Sequence, residues 1–213
     1  MKCDQNKLLL YAVTDRAWLG PQTLYAQVES ALRGGATCVQ LREKNLGYGE
    51  FLREAVELKA LCESYGVPLI INDNVDILLE SGADGVHIGQ SDGDVAQIRA
   101  RIGPDKLLGV SAHTVEQAVR AERDGADYLG AGAVFATGTK RDAGSLPFET
   151  LRAICAAVSL PVVAIGGITN ANVPLLAGSG VAGIAVVSAV FAARDIENAT
   201  AVLKSLTKEA LGL

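Results

Sequence analysis

The chain has 213 residues, 49% of them hydrophobic and only 5% aromatic. Its core must therefore be built from Val, Ile, Leu and Ala, which suits parallel strands covered by helices on both faces. A formal net charge of −5 argues against generic attraction to nucleic acid or an anionic membrane, and no apolar run is long enough for a transmembrane helix.

Strand-like runs fall near 8–14, 38–43, 68–73, 85–90, 107–112, 128–135, 162–167 and 183–188, with helical patterns between them. The first run follows a short polar stretch and leads into Thr14-Asp15-Arg16, so it reads as a strand and not as a leader's apolar core. In 50–64 the residues Phe51, Leu52, Ala55, Val56, Leu58 and Leu61 recur at helical spacing. Thr114 and Gln117 have the form of a capping box. Gly35-Ala36-Thr37, Gly82-Ala83-Asp84 and Gly125-Ala126-Asp127 precede the second, fourth and sixth strands, and Gly180-Val181-Ala182 the eighth. Each glycine is expected to end a helix with positive φ. Pro68 and Pro161 stop the helices ahead of the third and seventh strands. Eight strands alternating with helices predict a single (β/α)8 TIM barrel spanning residues 1–213. A doubly wound open sheet is the alternative.

The four cysteines, Cys3, Cys38, Cys62 and Cys155, form no C-x-x-C pair and read as small hydrophobes in a reducing cytoplasm. The two histidines, His87 and His113, are far apart, so a zinc site is not expected. His87, in mid-strand, reads as a satisfied structural residue. His113 reads either as a surface residue or as a general acid or base.

In a barrel of this kind the site lies at the C-terminal ends of the strands. Gln40, Arg42 and Lys44 fall on one face of the second strand, and Leu41 and Glu43 on the other. The charge run could be merely solvated, but an inward amide at Gln40 needs a partner. Asp73 and Asp92 follow the third and fourth strands, and two carboxylates without His or Cys suit Mg²⁺. Helix capping is the competing role, shared with Asn74 and Asp94. Thr137-Gly138-Thr139-Lys140 makes a phosphate loop that is not a Walker loop. Gly166-Gly167 and Val187-Ser188 end strands that commonly supply a phosphate site, with tight turn geometry as the alternative for the glycines. Ser111 ends the fifth strand. No serine has a recognisable base partner, and no G-x-S-x-G elbow or dinucleotide fingerprint is present. The inventory is two anion sites, one Mg²⁺ site and no covalent catalyst.

Tyr11-Ala12-Val13-Thr14-Asp15, Gln40 to Lys44, Ile71-Asn72-Asp73, Gly85 to Asp92, Gly109 to His113, Thr137 to Lys140 and Ala164 to Ile168 together resemble thiamine-phosphate synthase, in order and over nearly the whole chain. The resemblance implies a (β/α)8 enzyme that couples 4-amino-2-methyl-5-pyrimidinylmethyl diphosphate to 4-methyl-5-(2-phosphoethyl)thiazole, releasing pyrophosphate. It implies pyrimidine diphosphate ligands at Gln40, Arg42, Lys44, Asn72, Ser111 and Lys140, with Arg42, Lys44 and Lys140 stabilising the leaving group. It implies Mg²⁺ at Asp73 and Asp92, and a thiazole phosphate site at Thr137, Thr139, Gly167, Val187 and Ser188. The partners expected are small molecules, with no nucleic acid and no membrane, and the sequence leaves room for a homo-oligomer. Pro147 and Phe148 at the next helix depart from the family's pattern and put loop closure in doubt. Two other readings compete: a thiazole tautomerase of the same fold, using a histidine near His113, and a non-catalytic barrel that binds a phosphorylated ligand.

Overall fold

The computed structural model describes residues 3–136 and 146–213. The apolar runs form strands β1 (Leu10–Val13), β2 (Cys38–Leu41), β3 (Leu69–Asn72), β4 (Gly85–Ile88), β5 (Leu107–Ala112), β6 (Tyr128–Gly132), β7 (Val162–Ile165) and β8 (Gly183–Val186). All pair in parallel and in chain order, and β8 returns to β1 to close the barrel. The expected (β/α)8 architecture is thus observed, and the open sheet is not. Several strands stop short of their predicted ends. Arg42 after β2, Asp73 after β3 and Gly166 after β7 leave the ladder to build loops.

Helices α1 (Leu24–Arg33), α2 (Tyr48–Ser64), α3 (Val75–Ser81), α4 (Val95–Ile102), α5 (Val115–Arg123) and α6 (Phe148–Ala157) follow β1 to β6 in turn, and α7 (Ser188–Phe191) and α8 (Ile196–Leu211) follow β8. In α2 the residues Phe51, Ala55, Leu58, Leu61 and Cys62 are buried, while Val56 faces solvent. Strict alternation lapses once. Only a 3-10 helix, Val173–Leu176, lies between β7 and β8, so Gly180 turns the chain after that short segment instead of ending an α-helix. Thr114 caps α5 by accepting from the Gln117 N–H at 3.2 Å. Gln117 reaches back one residue further than expected, accepting from the His113 N–H at 2.7 Å.

The repeat before the even strands has a structural cause. Gly35, Gly82, Gly125 and Gly180 all have positive φ, from 71° to 100°. The third residue of each of the first three copies then accepts a hydrogen bond from the start of the preceding strand. Thr37 Oγ1 accepts from Leu10 N at 2.9 Å, Asp84 Oδ2 from Leu69 N at 2.8 Å and Asp127 Oδ2 from Leu108 N at 2.8 Å. These side chains satisfy N–H groups at the closed end of the barrel, where an unpaired donor would be costly.

Apolar residues divide into two clusters. One packs the outer strand faces against the helices. The other fills the barrel itself and includes Leu8, Tyr11, Cys38, Ile70, Leu107, Tyr128 and Val163. Cys38 and Cys62 are buried and free, and burial pushes the Cys62 thiol up to about 12. Among the described residues, no helix is long and apolar enough to cross a membrane.

The closed end should tolerate no added atom at Gly183, where a Cβ would overlap the Leu8 carbonyl. Gly183→Ala is expected to lower stability by about 1–3 kcal/mol, the cost of overpacking. Gly49, with open space around its Cβ position in α2, should instead gain about 0.5 kcal/mol on change to Ala. Urea midpoints measure both. Equal shifts in the same direction would show that local crowding does not decide them.

Candidate active site

Side chains alternate along a strand, and those on the inner face of this barrel open into one cavity of about 490 Å³ at the C-terminal strand ends. Every predicted site residue within the described chain lines it: Gln40, Arg42, Lys44, Asn72, Asp73, Asp92, Ser111, Gly167, Val187 and Ser188. Thr137, Thr139 and Lys140 lie outside the described residues.

The rim after β2 is held from behind. The Arg42 N–H donates to Thr14 Oγ1 at 3.0 Å, and its guanidinium pairs with Asp15 Oδ2 at 3.2 Å. Leu41 packs outward and fully buried, while Glu43 turns away to Arg16 at 2.8 Å. The alternation read from the sequence therefore continues past the ladder, and the charge run is not simply solvated.

The carboxylates are not helix caps. Asn74 caps α3 by accepting from Ile77 N at 3.0 Å, and Asp94 caps α4 by accepting from Gln97 N at 2.9 Å. Asp73 has φ of 63°, the one positive value outside glycine among the described residues. Asp tolerates that region better than most residues, and such a backbone recurs at functional sites. Its carboxylate accepts from the Asn72 amide, and its N–H donates to the His87 carbonyl at 2.9 Å. Asp92 folds its own loop by accepting from Gly89 N at 2.7 Å.

At the opposite rim, Gly167 has φ of 66°, and a Cβ there would overlap the Ala136 carbonyl. A Cβ on Gly166 would stand 2.6 Å from Ala133 Cα. Both glycines are needed for close approach of two backbones as well as for the turn.

The cavity floor carries residues that motif reading missed. Gln40 Nε2 donates to the Tyr11 hydroxyl at 2.7 Å, which lies 2.9 Å from the Tyr128 hydroxyl. That hydroxyl is 3.2 Å from His87 Nδ1, and His87 Nε2 is 3.1 Å from Ser111 Oγ. The expectation that no serine has a base partner is therefore corrected: His87 stands within hydrogen-bond reach of Ser111. Strand counting hid the pair, because the residues lie on β4 and β5 and meet only through the register that sets His87 beside Gly109. The sequence signal was glycine within β5 and β6. A Cβ on Gly109 would overlap the Tyr128 ring, and one on Gly130 would stand 3.0 Å from the His87 ring. His87 is satisfied, as expected, but it also faces the cavity. His113 lies exposed at the rim, with Nδ1 2.7 Å from the Gly132 carbonyl.

The sequence model of the thiamine monophosphate synthase family matches residues 10–190. The chain belongs to that family. It is 51% identical to a thiamine-phosphate synthase of Ruminiclostridium cellulolyticum, over 89% of this chain and 90% of that one. It is 46% identical to a thiamine-phosphate synthase of Clostridium acetobutylicum, over 94% and 95%. The solved thiamine phosphate pyrophosphorylase of Pyrococcus furiosus superposes with a TM-score of 0.90 at 41% identity, over 98% of this chain and 99% of that one. Membership of the thiamine monophosphate synthase family makes the chain a transferase of thiamine biosynthesis.

Burial pushes the Tyr11 and Tyr128 phenols well above the ordinary value. Tyr25, Tyr48 and Tyr65 are exposed. A group whose pKa is raised on folding contributes stability below its unfolded pKa and loses it above, so these two phenols weaken the fold as pH climbs past about 10. Ultraviolet titration of the native protein should leave this pair protonated until unfolding. All five ionising while the fold persists would contradict the buried placement.

Proposed function

We propose that the protein couples 4-amino-2-methyl-5-pyrimidinylmethyl diphosphate to 4-methyl-5-(2-phosphoethyl)thiazole, releasing pyrophosphate and forming thiamine monophosphate. The reading is carried by the convergence of Gln40, Arg42, Lys44, Asn72, Asp73, Asp92, Ser111, Gly167, Val187 and Ser188 on one cavity. Residues 1–213 are read as a single catalytic domain, and the free buried thiols suit a cytoplasmic enzyme.

In this reading Arg42 and Lys44, with Lys140, neutralise the charge that grows on the departing pyrophosphate. Asp15 holds the Arg42 guanidinium in place for it. Gln40, Asn72 and Ser111 orient the pyrimidine diphosphate. Gly167, Val187 and Ser188, with Thr137 and Thr139, hold the thiazole phosphate, the glycine allowing close backbone approach. The bond to pyrophosphate breaks first, leaving a pyrimidinylmethyl cation stabilised by its own amino-substituted ring, and the thiazole nitrogen then attacks. Val163, Ile165, Ile168 and Ala185 give the cavity apolar walls, which limit the water that would trap the cation.

The donor set fits Mg²⁺. Asp73 and Asp92 face one cavity, neither is used as a helix cap, and Mg²⁺ bound largely by substrate phosphates needs only one or two carboxylates. The ion would supply positive charge to the diphosphate oxygens. Asp73→Ala or Asp92→Ala should lower Mg²⁺-dependent turnover at least about 10-fold and raise the Mg²⁺ concentration needed, with an unchanged circular dichroism spectrum. Wild-type turnover at limiting Mg²⁺ in both variants would remove them from a metal role.

The competing tautomerase reading turns on His113. Coupling needs no base there, because the attacking thiazole nitrogen carries no proton, so His113→Ala should keep most activity. A tautomerase would lose about 10²–10⁴-fold. Assaying both proteins with both substrates and Mg²⁺ for thiamine monophosphate, and separately for thiazole aromatisation, tests the whole reading. Aromatisation without coupling, abolished in His113→Ala, would overturn it. Neither reaction would favour a non-catalytic phosphate-binding barrel.

A further inference from the structure

The turn that carries Asp92 is closed on itself. The Asp92 carboxylate accepts from Gly89 N at 2.7 Å, and Asp92 N donates to the Gly89 carbonyl at 3.3 Å. A Cβ on Gly89 would stand 2.8 Å from Asp92 Oδ2, so the turn needs glycine at its start. These contacts fix the carboxylate within the turn. They cannot fix the turn against the barrel, and Asp92 itself is exposed at the rim.

Gln90, half-buried between the two ends of the turn, supplies that link. Its Nε2 donates to the Ser111 carbonyl in β5 at 2.6 Å, and its Oε1 accepts from Arg120 Nη2 in α5 at 2.6 Å. A guanidinium can only donate, and a backbone carbonyl can only accept. An amide held between them therefore has one orientation, whatever else its atoms touch. Glutamate at this position could meet Arg120 but would turn an acceptor toward the Ser111 carbonyl.

We propose that Gln90 is a positioning residue: its side-chain amide, oriented by Arg120, fastens the turn from Gly89 to Asp92 onto the end of β5 and so sets the Asp92 carboxylate at the cavity. Gly89, Gln90, Asp92 and Ser111 all line that cavity, and Arg120 is not among its lining residues. Arg120 acts from the exposed face of α5, through Gln90 alone. The bearing of the bridge on Mg²⁺ rests on the function proposed above; the bridge itself does not.

The bridge is tested without substrate or metal, by NMR amide hydrogen exchange on the ¹⁵N-labelled full chain. In Arg120→Ala the Gln90 side-chain N–H and the Gly89 N–H should exchange about 3- to 10-fold faster, the worth of about one hydrogen bond. The Ala118 N–H, bonded to the Thr114 carbonyl in the same helix, should keep its rate. Gln90→Glu should speed exchange at Gly89 at least as much, because acceptor then faces acceptor at Ser111. In coupling assays both variants should raise the Mg²⁺ concentration for half-maximal turnover about 3- to 10-fold, with kcat at saturating Mg²⁺ within about 2-fold of the wild type. Arg120→Ala in a Gln90→Ala background should add less than about 1.5-fold to that requirement, because nothing is left for it to orient. Wild-type exchange at Gly89 in either variant overturns the proposal, and so does an unchanged Mg²⁺ requirement. If coupling is absent from the wild type, the function reading fails separately and the exchange rates still decide the bridge.

Discussion

Everything at this site depends on a closed barrel having to satisfy its own interior. Closure removes water as well as sheet edges, and a polar group placed inside must find a partner there. The closed end solves this with Thr37, Asp84 and Asp127, whose side chains take N–H groups near the starts of neighbouring strands. Beside them Leu8, Cys38, Ile70 and Leu107 fill the interior with apolar side chains. Only above that plug does the interior become polar, and there each member bonds the next, from Gln40 to Ser111. The floor of the cavity is thus the point where an apolar core hands over to a satisfied network. Removing either tyrosine hydroxyl from it leaves two partners short, not one.

The rim follows a different rule, because loops and not ladders place its residues. Several residues there are held by a neighbour. Thr14 and Asp15 hold Arg42, Gly89 N holds Asp92, and Asn172 Nδ2 donates to the Gly167 carbonyl at 2.9 Å. The loop after β4 is tied across to β5, with Gln90 Nε2 donating to the Ser111 carbonyl at 2.6 Å. Such second contacts restrict side chains and backbone before a ligand arrives, which lowers the ordering cost of binding.

Much of this could be read in the sequence because the barrel uses strict periods. Alternation placed Gln40, Arg42 and Lys44 on one face and Leu41 and Glu43 on the other, and the glycines before the even strands announced positive φ. Strand ends are overrun in the sequence because nothing in the run of residues marks where the backbone leaves the ladder, as at Gly166. The missing helix between β7 and β8 was hidden for a related reason. Asn172-Val173-Pro174-Leu175-Leu176 is apolar enough to suggest a helix, but it makes a single 3-10 turn. The floor network was illegible because it depends on register. Tyr11, His87 and Tyr128 come from three strands, and no local pattern says that they meet. Gly109 and Gly130 were the trace they left, since a large side chain facing inward needs a neighbouring strand without a Cβ.

The two rims differ in how they offer charge, and the difference fits the two phosphorylated groups of the proposed reaction. The β2 side carries its charge on side chains, Arg42 and Lys44, beside the carboxylates after β3 and β4. A diphosphate that must be held, neutralised and then released suits long cations, whose attraction grows as negative charge collects on the leaving group. The β7 and β8 side offers little side-chain charge among the described residues. Its lining is Gly166, Gly167, Ile168, Val187 and Ser188, a backbone surface opened by glycine. A monophosphate that serves only as a handle needs fixed donors and no change of charge during the reaction. In the proposed reaction, cations at one rim and a glycine-opened backbone at the other would let the pyrimidinylmethyl cation form between them. That proposed reaction needs no side chain to attack, and it would depend on the apolar wall between the rims as much as on the charges on either side.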